Sequence, residues 1–174
     1  TQIHLDPGPG ATVYANEAKA EDTEAVIVSH GHLDHVGATA ATIEMMTEAY
    51  GNPGAIFANR TCLEGYGTIE KWISGYHQKM CSEVKTLEDG SRYEFKDVTI
   101  KSQEMFHSDP RNQGLTIENE DKKIGCWTDT EYSEELVDFY SGCDTLVIYC
   151  IRPRDAGIDS HTAVDDVPDI VEDL

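Results

Sequence analysis

Ser29-His30-Gly31-His32-Leu33-Asp34-His35 follows directly on the apolar run Ala25-Val26-Ile27-Val28. The run is apolar on both faces, the pattern of a strand buried in a layered α/β protein. The polar heptapeptide therefore leaves a rigidly anchored strand end and enters a loop. His30 and His32 alternate along an extended segment and project alike, whereas Asp34 and His35 begin a helix and can face a second ion. Neutral imidazole is a borderline donor and the carboxylate supplies charge, a mixture suited to zinc or a similar divalent ion. The bland alternative is a polar surface loop with chance histidines. Three imidazoles and a carboxylate crowded behind a buried strand weigh against it.

Outward from this loop, Val36, Ala40, Ile43 and Met46 recur every three or four residues and predict an amphipathic helix from Val36 to Tyr50, stopped by Gly51-Asn52-Pro53. Upstream, Ile3 to Leu5 and Thr12 to Ala15 read as strands around the turn-rich Asp6-Pro7-Gly8-Pro9-Gly10. Downstream, Ala55 to Ala58 reads as a short strand, 61–80 as mixed helical pieces, and Arg92 to Phe106 as paired strands. A hairpin joins 114–117 to 124–127 across the polar turn at 119–123. Glu134 to Tyr140 reads as a helix and Asp144 to Cys150 as a strand. Val164, Val167, Val171 and Leu174 mark a closing helix that tolerates Pro168 only in its first turn. Strands interleaved with helices define an α/β protein with sheets covered by helices.

The 174 residues suit a single domain spanning 1–174, and 39% hydrophobic content is enough for a core. Thirteen Lys and Arg against 33 Asp and Glu give a net charge of -20, which opposes extensive binding to nucleic acid or to anionic membranes. The basic residues of the middle third read as scattered solvated charges. Five cysteines without a C-x-x-C pair indicate neither a disulfide framework nor a zinc ribbon, and fit a reducing, cytoplasmic setting. No apolar run approaches the ~20 residues of a membrane span.

His30-x-His32-x-Asp34-His35 after Val26-Ile27-Val28-Ser29 resembles the signature of the metallo-β-lactamase superfamily. The resemblance implies a four-layer αβ/βα sandwich, here incomplete at the N and C termini. It implies that His30, His32 and His107 hold a first ion, that Asp34 and His35 hold a second, and that Asp129 bridges them. The expected cofactor is zinc, two ions in the intact site, with manganese or iron as alternatives. Taken alone, His107 reads more often as a structural histidine, and Asp129 equally suits a helix cap for the segment from Ser133. Their order after the His-rich loop tips both towards metal. Asp6 resembles a residue that holds the distal nitrogen of a ligand histidine, with a turn-forming Asp before Pro as the alternative. His161, in Ser160-His161-Thr162, resembles the His-Ser-Thr element of the ribonuclease Z branch, the alternative being an exposed histidine beside a helix cap. His4 and His77 are left as structural.

The resemblance further implies a hydrolase that uses a metal-bound hydroxide, oriented by Asp34 and Asp129, with His161 as the acid for a poor leaving group. His32 stands where the redox diiron relatives carry Glu. A phosphodiester or related anionic small-molecule substrate is expected, gripped by Arg152 or Arg154, since guanidinium matches phosphate bidentately. No long basic arm for tRNA is present. The alternatives are a thioesterase or lactonase of the same fold, or a non-enzymatic metal-binding member. A homodimer is compatible with the reading. The family pattern ends on a further histidine after the closing helix, while this chain begins at Thr1 and stops at Leu174. The natural protein is therefore expected to be longer at both ends, and the second ion to be held more weakly here.

Overall fold

The computed structural model describes the chain apart from Ala15, Asn16, Ala18, Arg152 and residues 154–159. Arg152 and Arg154, the expected substrate guanidiniums, lie outside the described residues. The chain divides into two compact units, Thr1–Leu87 and Glu88–Leu174.

The first unit is built on an all-parallel sheet of order β1-β2-β3-β4, comprising Ile3–Leu5, Ala25–Val28, Ala55–Asn59 and Glu83–Leu87. β2 and β3 are buried at every residue, as parallel strands covered on both faces must be. Val26, Val28, Ile56 and Ala58 pack with Ile43 and Met46 of the helical segment that follows the histidine loop. That segment is broken where a continuous helix was expected. α1 (Leu33–Val36) stops, α2 (Thr39–Glu44) restarts, and a π-helical turn (Met45–Ala49) ends it. The break arises because the Ala38 N–H leaves the helix ladder to donate to the Pro7 carbonyl, 2.7 Å away. The expected strand at Thr12 to Ala15 is also corrected. Ala11–Tyr14 forms a 3-10 turn, closed by Ala11 N–H to Gly8 O and Val13 N–H to Gly10 O. Val13 and Tyr14 are exposed and offer no face for a buried strand. The described residues of this unit also form a 3-10 turn, Ala20–Asp22, and two short helices, α3 (Arg60–Glu64) and α4 (Gly75–Met80).

The second unit carries a five-stranded sheet of order β5-β6-β7-β8-β9: Arg92–Phe95, Val98–Glu104, Gln113–Glu118, Lys123–Trp127 and Thr145–Ile148. β5 to β8 are antiparallel neighbours, and the β7–β8 pair is the expected hairpin. β9 runs parallel to β8, which requires a crossover, supplied by α5 (Glu134–Tyr140). Ser133 caps α5, accepting the Glu135 N–H. Trp127, Leu136, Tyr140 and Ile170 form the core, Ile170 coming from α6 (Val167–Asp173) with Pro168 in its first turn. No helix among the described residues is long and apolar enough to cross a membrane.

Candidate metal centre

In the first unit the site begins where β1 and β2 end. Ser29 and His30 are fully buried beyond Val28. His32 takes an extended conformation and its carbonyl accepts the His35 and Val36 N–H groups, so the loop turns straight into α1. The His30 ring centroid lies 4.6 Å from that of His32 and 4.2 Å from that of His35. Asp34 stands at the helix start with its side chain 76% exposed, its Oδ2 3.6 Å from His35 Nε2. Beyond β1, Asp6 adopts the left-handed backbone region at φ 45, and its N–H donates to Ile27 O. Its Oδ1 accepts the Ser29 N–H at 2.7 Å, and its Oδ2 contacts Ser29 Oγ at 2.6 Å and His35 Nδ1 at 2.9 Å. Ser29 Oγ is also 3.0 Å from His30 Nδ1. Five residues of the histidine loop and Asp6 thus share one place in this unit. His4, whose pKa burial pushes down, sits in β1 opposite Val26, and His77 pairs with Ser74 and Glu44.

In the second unit, His107 follows β6 with its side chain buried, and its Nδ1 donates to the Ser160 carbonyl at 2.8 Å. Asp129 follows β8, and its Oδ2 lies 3.9 Å from His107 Nε2 and 3.4 Å from His161 Nε2. The His107 and His161 rings meet edge to face at 4.7 Å. His107, Asp129 and His161, spread over more than fifty residues of sequence, are therefore neighbours.

Sequence reasoning missed the groups that hold these three in place. The buried Asn112 amide donates to the Asp129 carbonyl. Thr130 Oγ1 accepts the Phe106 N–H at 3.0 Å, tying the His107 loop to the Asp129 loop. Thr162 Oγ1 accepts the Trp127 Nε1–H and donates to Thr130 O, both at 2.8 Å, and so anchors the residue next to His161. The only signal in the sequence is that each is a short polar residue beside, or close to, a candidate ligand.

The donor chemistry fits a divalent ion. His35 Nδ1 faces a carboxylate and His107 Nδ1 faces a carbonyl, both acceptors, so each ring carries its hydrogen on Nδ1 and its lone pair on Nε2. That is how a ligand histidine is oriented.

The whole chain, residues 1–174, matches the model of the Beta-lactamase superfamily domain. It is 31% identical over 176 residues to the protein MJ1374 of Methanocaldococcus jannaschii, covering 99% of this chain and 66% of that protein. The chain thus spans just under two thirds of that relative. The metallo-beta-lactamase fold protein YhfI of Bacillus subtilis superposes with a TM-score of 0.76 at 17% identity, over 98% of this chain and 68% of that one. A diphosphatase of the PhnP family superposes with a TM-score of 0.71 at 15% identity, over 99% of this chain and 63% of that one. The chain belongs to the beta-lactamase superfamily, and its α/β fold is the metallo-β-lactamase fold that the histidine motif led us to expect.

Proposed function

We propose that the two units are halves of one metal-dependent hydrolase domain acting on a phosphodiester or related anionic substrate. His30, His32, His107 and Asp129 would hold one divalent ion, and Asp34, His35 and Asp129 a second, zinc being the first choice. The observation that carries the reading is the Asp129–His107–His161 group: a carboxylate oxygen facing two imidazole nitrogens, 3.9 and 3.4 Å away, in a superfamily member. The likeness to a PhnP-family diphosphatase supports phosphorus–oxygen chemistry.

Divalent ions bound there supply Lewis acidity, bringing a water's pKa towards neutrality and offsetting phosphoryl charge. The protein's own part is positional. Asp6 holds His35 through Nδ1, and the Ser160 carbonyl holds His107 in the same way. Asp34, largely exposed at the start of α1, and Asp129 orient the attacking water. His161, with its side chain 19% exposed, hands the proton on Nε2 to the leaving oxygen. Five free cysteines support a cytoplasmic location.

The test uses the full chain loaded with zinc or manganese. We expect turnover of bis(p-nitrophenyl) phosphate, with a p-nitrophenyl thioester and a lactone run in parallel. His161→Ala should spare this activated diester and lower hydrolysis of an alkyl diester about a hundredfold. Turnover of the thioester or lactone alone would replace the reading by that of a thioesterase or lactonase. Metal binding with no turnover of any of the three would make the chain a non-enzymatic member.

A further inference from the structure

Asp6 is almost wholly buried, its side chain 1% exposed, and its two oxygens accept from three donors on two residues, Ser29 and His35. One of these, Ser29, has a single hydroxyl hydrogen and two neighbours for it, Asp6 Oδ2 at 2.6 Å and His30 Nδ1 at 3.0 Å. A carboxylate can only accept, and 2.6 Å is the length of a hydroxyl-to-carboxylate hydrogen bond. The hydrogen therefore points to Asp6, and Ser29 Oγ presents a lone pair to His30. For His30 Nδ1 to bond to that lone pair it must carry the ring hydrogen, which puts the ring's own lone pair on Nε2. Asp6 Oδ2 accepts the His35 Nδ1–H in the same manner, without an intermediary.

We infer that Ser29 is a positioning residue that relays the Asp6 carboxylate to His30, so that one buried carboxylate sets the tautomers of two histidines. The consequence for metal rests on the ligand assignment proposed above, in which His30 and His35 serve different ions. Removing the Ser29 hydroxyl takes this acceptor from His30 Nδ1 and leaves the Asp6 bond to His35 Nδ1 in place. Replacing Asp6 by Asn acts on both rings, because an amide nitrogen facing Ser29 Oγ and His35 Nδ1 donates where the carboxylate accepted. Asn also tolerates the left-handed backbone that Asp6 adopts, so the turn survives this change.

The experiment compares the full chain with Ser29→Ala, Ser29→Thr and Asp6→Asn. Ring 15N shifts of the metal-free proteins report the tautomers, cobalt(II) affinity is measured against a competing chelator, and thermal melts check the fold. We expect His30 and His35 to be Nδ1-protonated in the parent and in Ser29→Thr. Only His30 should lose that state in Ser29→Ala, and both rings in Asp6→Asn. The tighter cobalt step should weaken about tenfold to a hundredfold in Ser29→Ala and recover in Ser29→Thr. An Nε2-protonated His30 in the parent, or an unchanged His30 in Ser29→Ala, overturns the relay. Failure of the parent to bind cobalt while the tautomers behave as stated overturns the ligand assignment and leaves the relay standing.

Discussion

Alanine at Gly8 tests how tightly the loop after β1 is fitted to the ligand loop. A Cβ at that position would lie 1.9 Å from the Asp34 carbonyl oxygen and 3.0 Å from its carbonyl carbon. Both are main-chain atoms at the start of α1, so no side-chain rotation relieves the clash. Ordinary contact requires the two segments to part by roughly 1.5 Å. Neither is free to move: Pro7 O holds the Ala38 N–H, Asp6 O holds the Gly8 N–H, and the Pro9 ring lies against Gly37. Overpacking of this kind costs about 2–3 kcal/mol, which for a chain of this size lowers Tm by roughly 4–12 °C. Gly8 has no left-handed backbone, whereas Gly10 does, at φ 90 with open space around it. Gly10→Ala therefore isolates backbone strain, at about 1 kcal/mol, from the steric contact. Thermal melts of the two variants and the parent, with cobalt affinity measured alongside, compare the effects. Gly8→Ala should melt lowest and bind cobalt about tenfold more weakly, because the clash displaces the ligand loop. A Gly8→Ala protein within about 0.5 kcal/mol of the parent, or no less stable than Gly10→Ala, would refute the reasoning.

Three further outcomes are expected. A net charge of -20 repels itself, and raising salt from 0.1 to 1 M shortens the screening length from about 10 to about 3 Å, so Tm should climb with KCl; a flat or falling Tm would count against self-repulsion as a cost. Asn112→Ala leaves the buried Asp129 carbonyl without the amide donor and should cost about 1–3 kcal/mol in a chemical unfolding series, while a neutral result would mean that another donor replaces it. Iodoacetamide should label exposed Cys150 first and buried Cys62 and Cys126 only on unfolding. Cys81, whose thiol burial pushes up to about 11, should label faster with each rise in pH towards that value, and mass spectrometry of the digests would reveal any other order.

The parts of this fold that were legible in the sequence are those decided by local chemistry. Ala25–Val28 is apolar throughout because both faces are covered, and the hairpin of β7 and β8 is announced by its polar turn. The histidine loop is legible because its donors are adjacent. β4 was not read as a strand: it is an edge strand whose Glu83 and Lys85 alternate with Val84 and Thr86, as edge positions favour. The break between α1 and α2 was invisible because its cause, the Pro7 carbonyl, is some thirty residues upstream. The site divides along the same line. His107, Asp129 and His161 were placed by the order of family motifs. Ser29, Asn112 and Thr162 were missed because the partners that define them are 23, 17 and 32 to 35 residues away.

These missed residues account for how a loop-borne site stays rigid without a chain of regular structure beneath it. In each unit the candidate ligands follow the end of a strand with a buried core, and an acceptor from another segment fixes the far side of a ring: Asp6 for His35, the Ser160 carbonyl for His107. His161 is held differently, through its neighbour. Thr162 spends its hydroxyl hydrogen on Thr130 O and its lone pair on the indole N–H of Trp127, which is fully buried in the core with Leu136 and Tyr140. Thr130 in turn receives the Phe106 N–H beside His107. The place of the proposed proton donor is thus set by a core tryptophan and by the same threonine that joins the His107 and Asp129 loops. A change in the packing of Trp127 should consequently act on proton transfer to the leaving group before it acts on the ligand residues themselves.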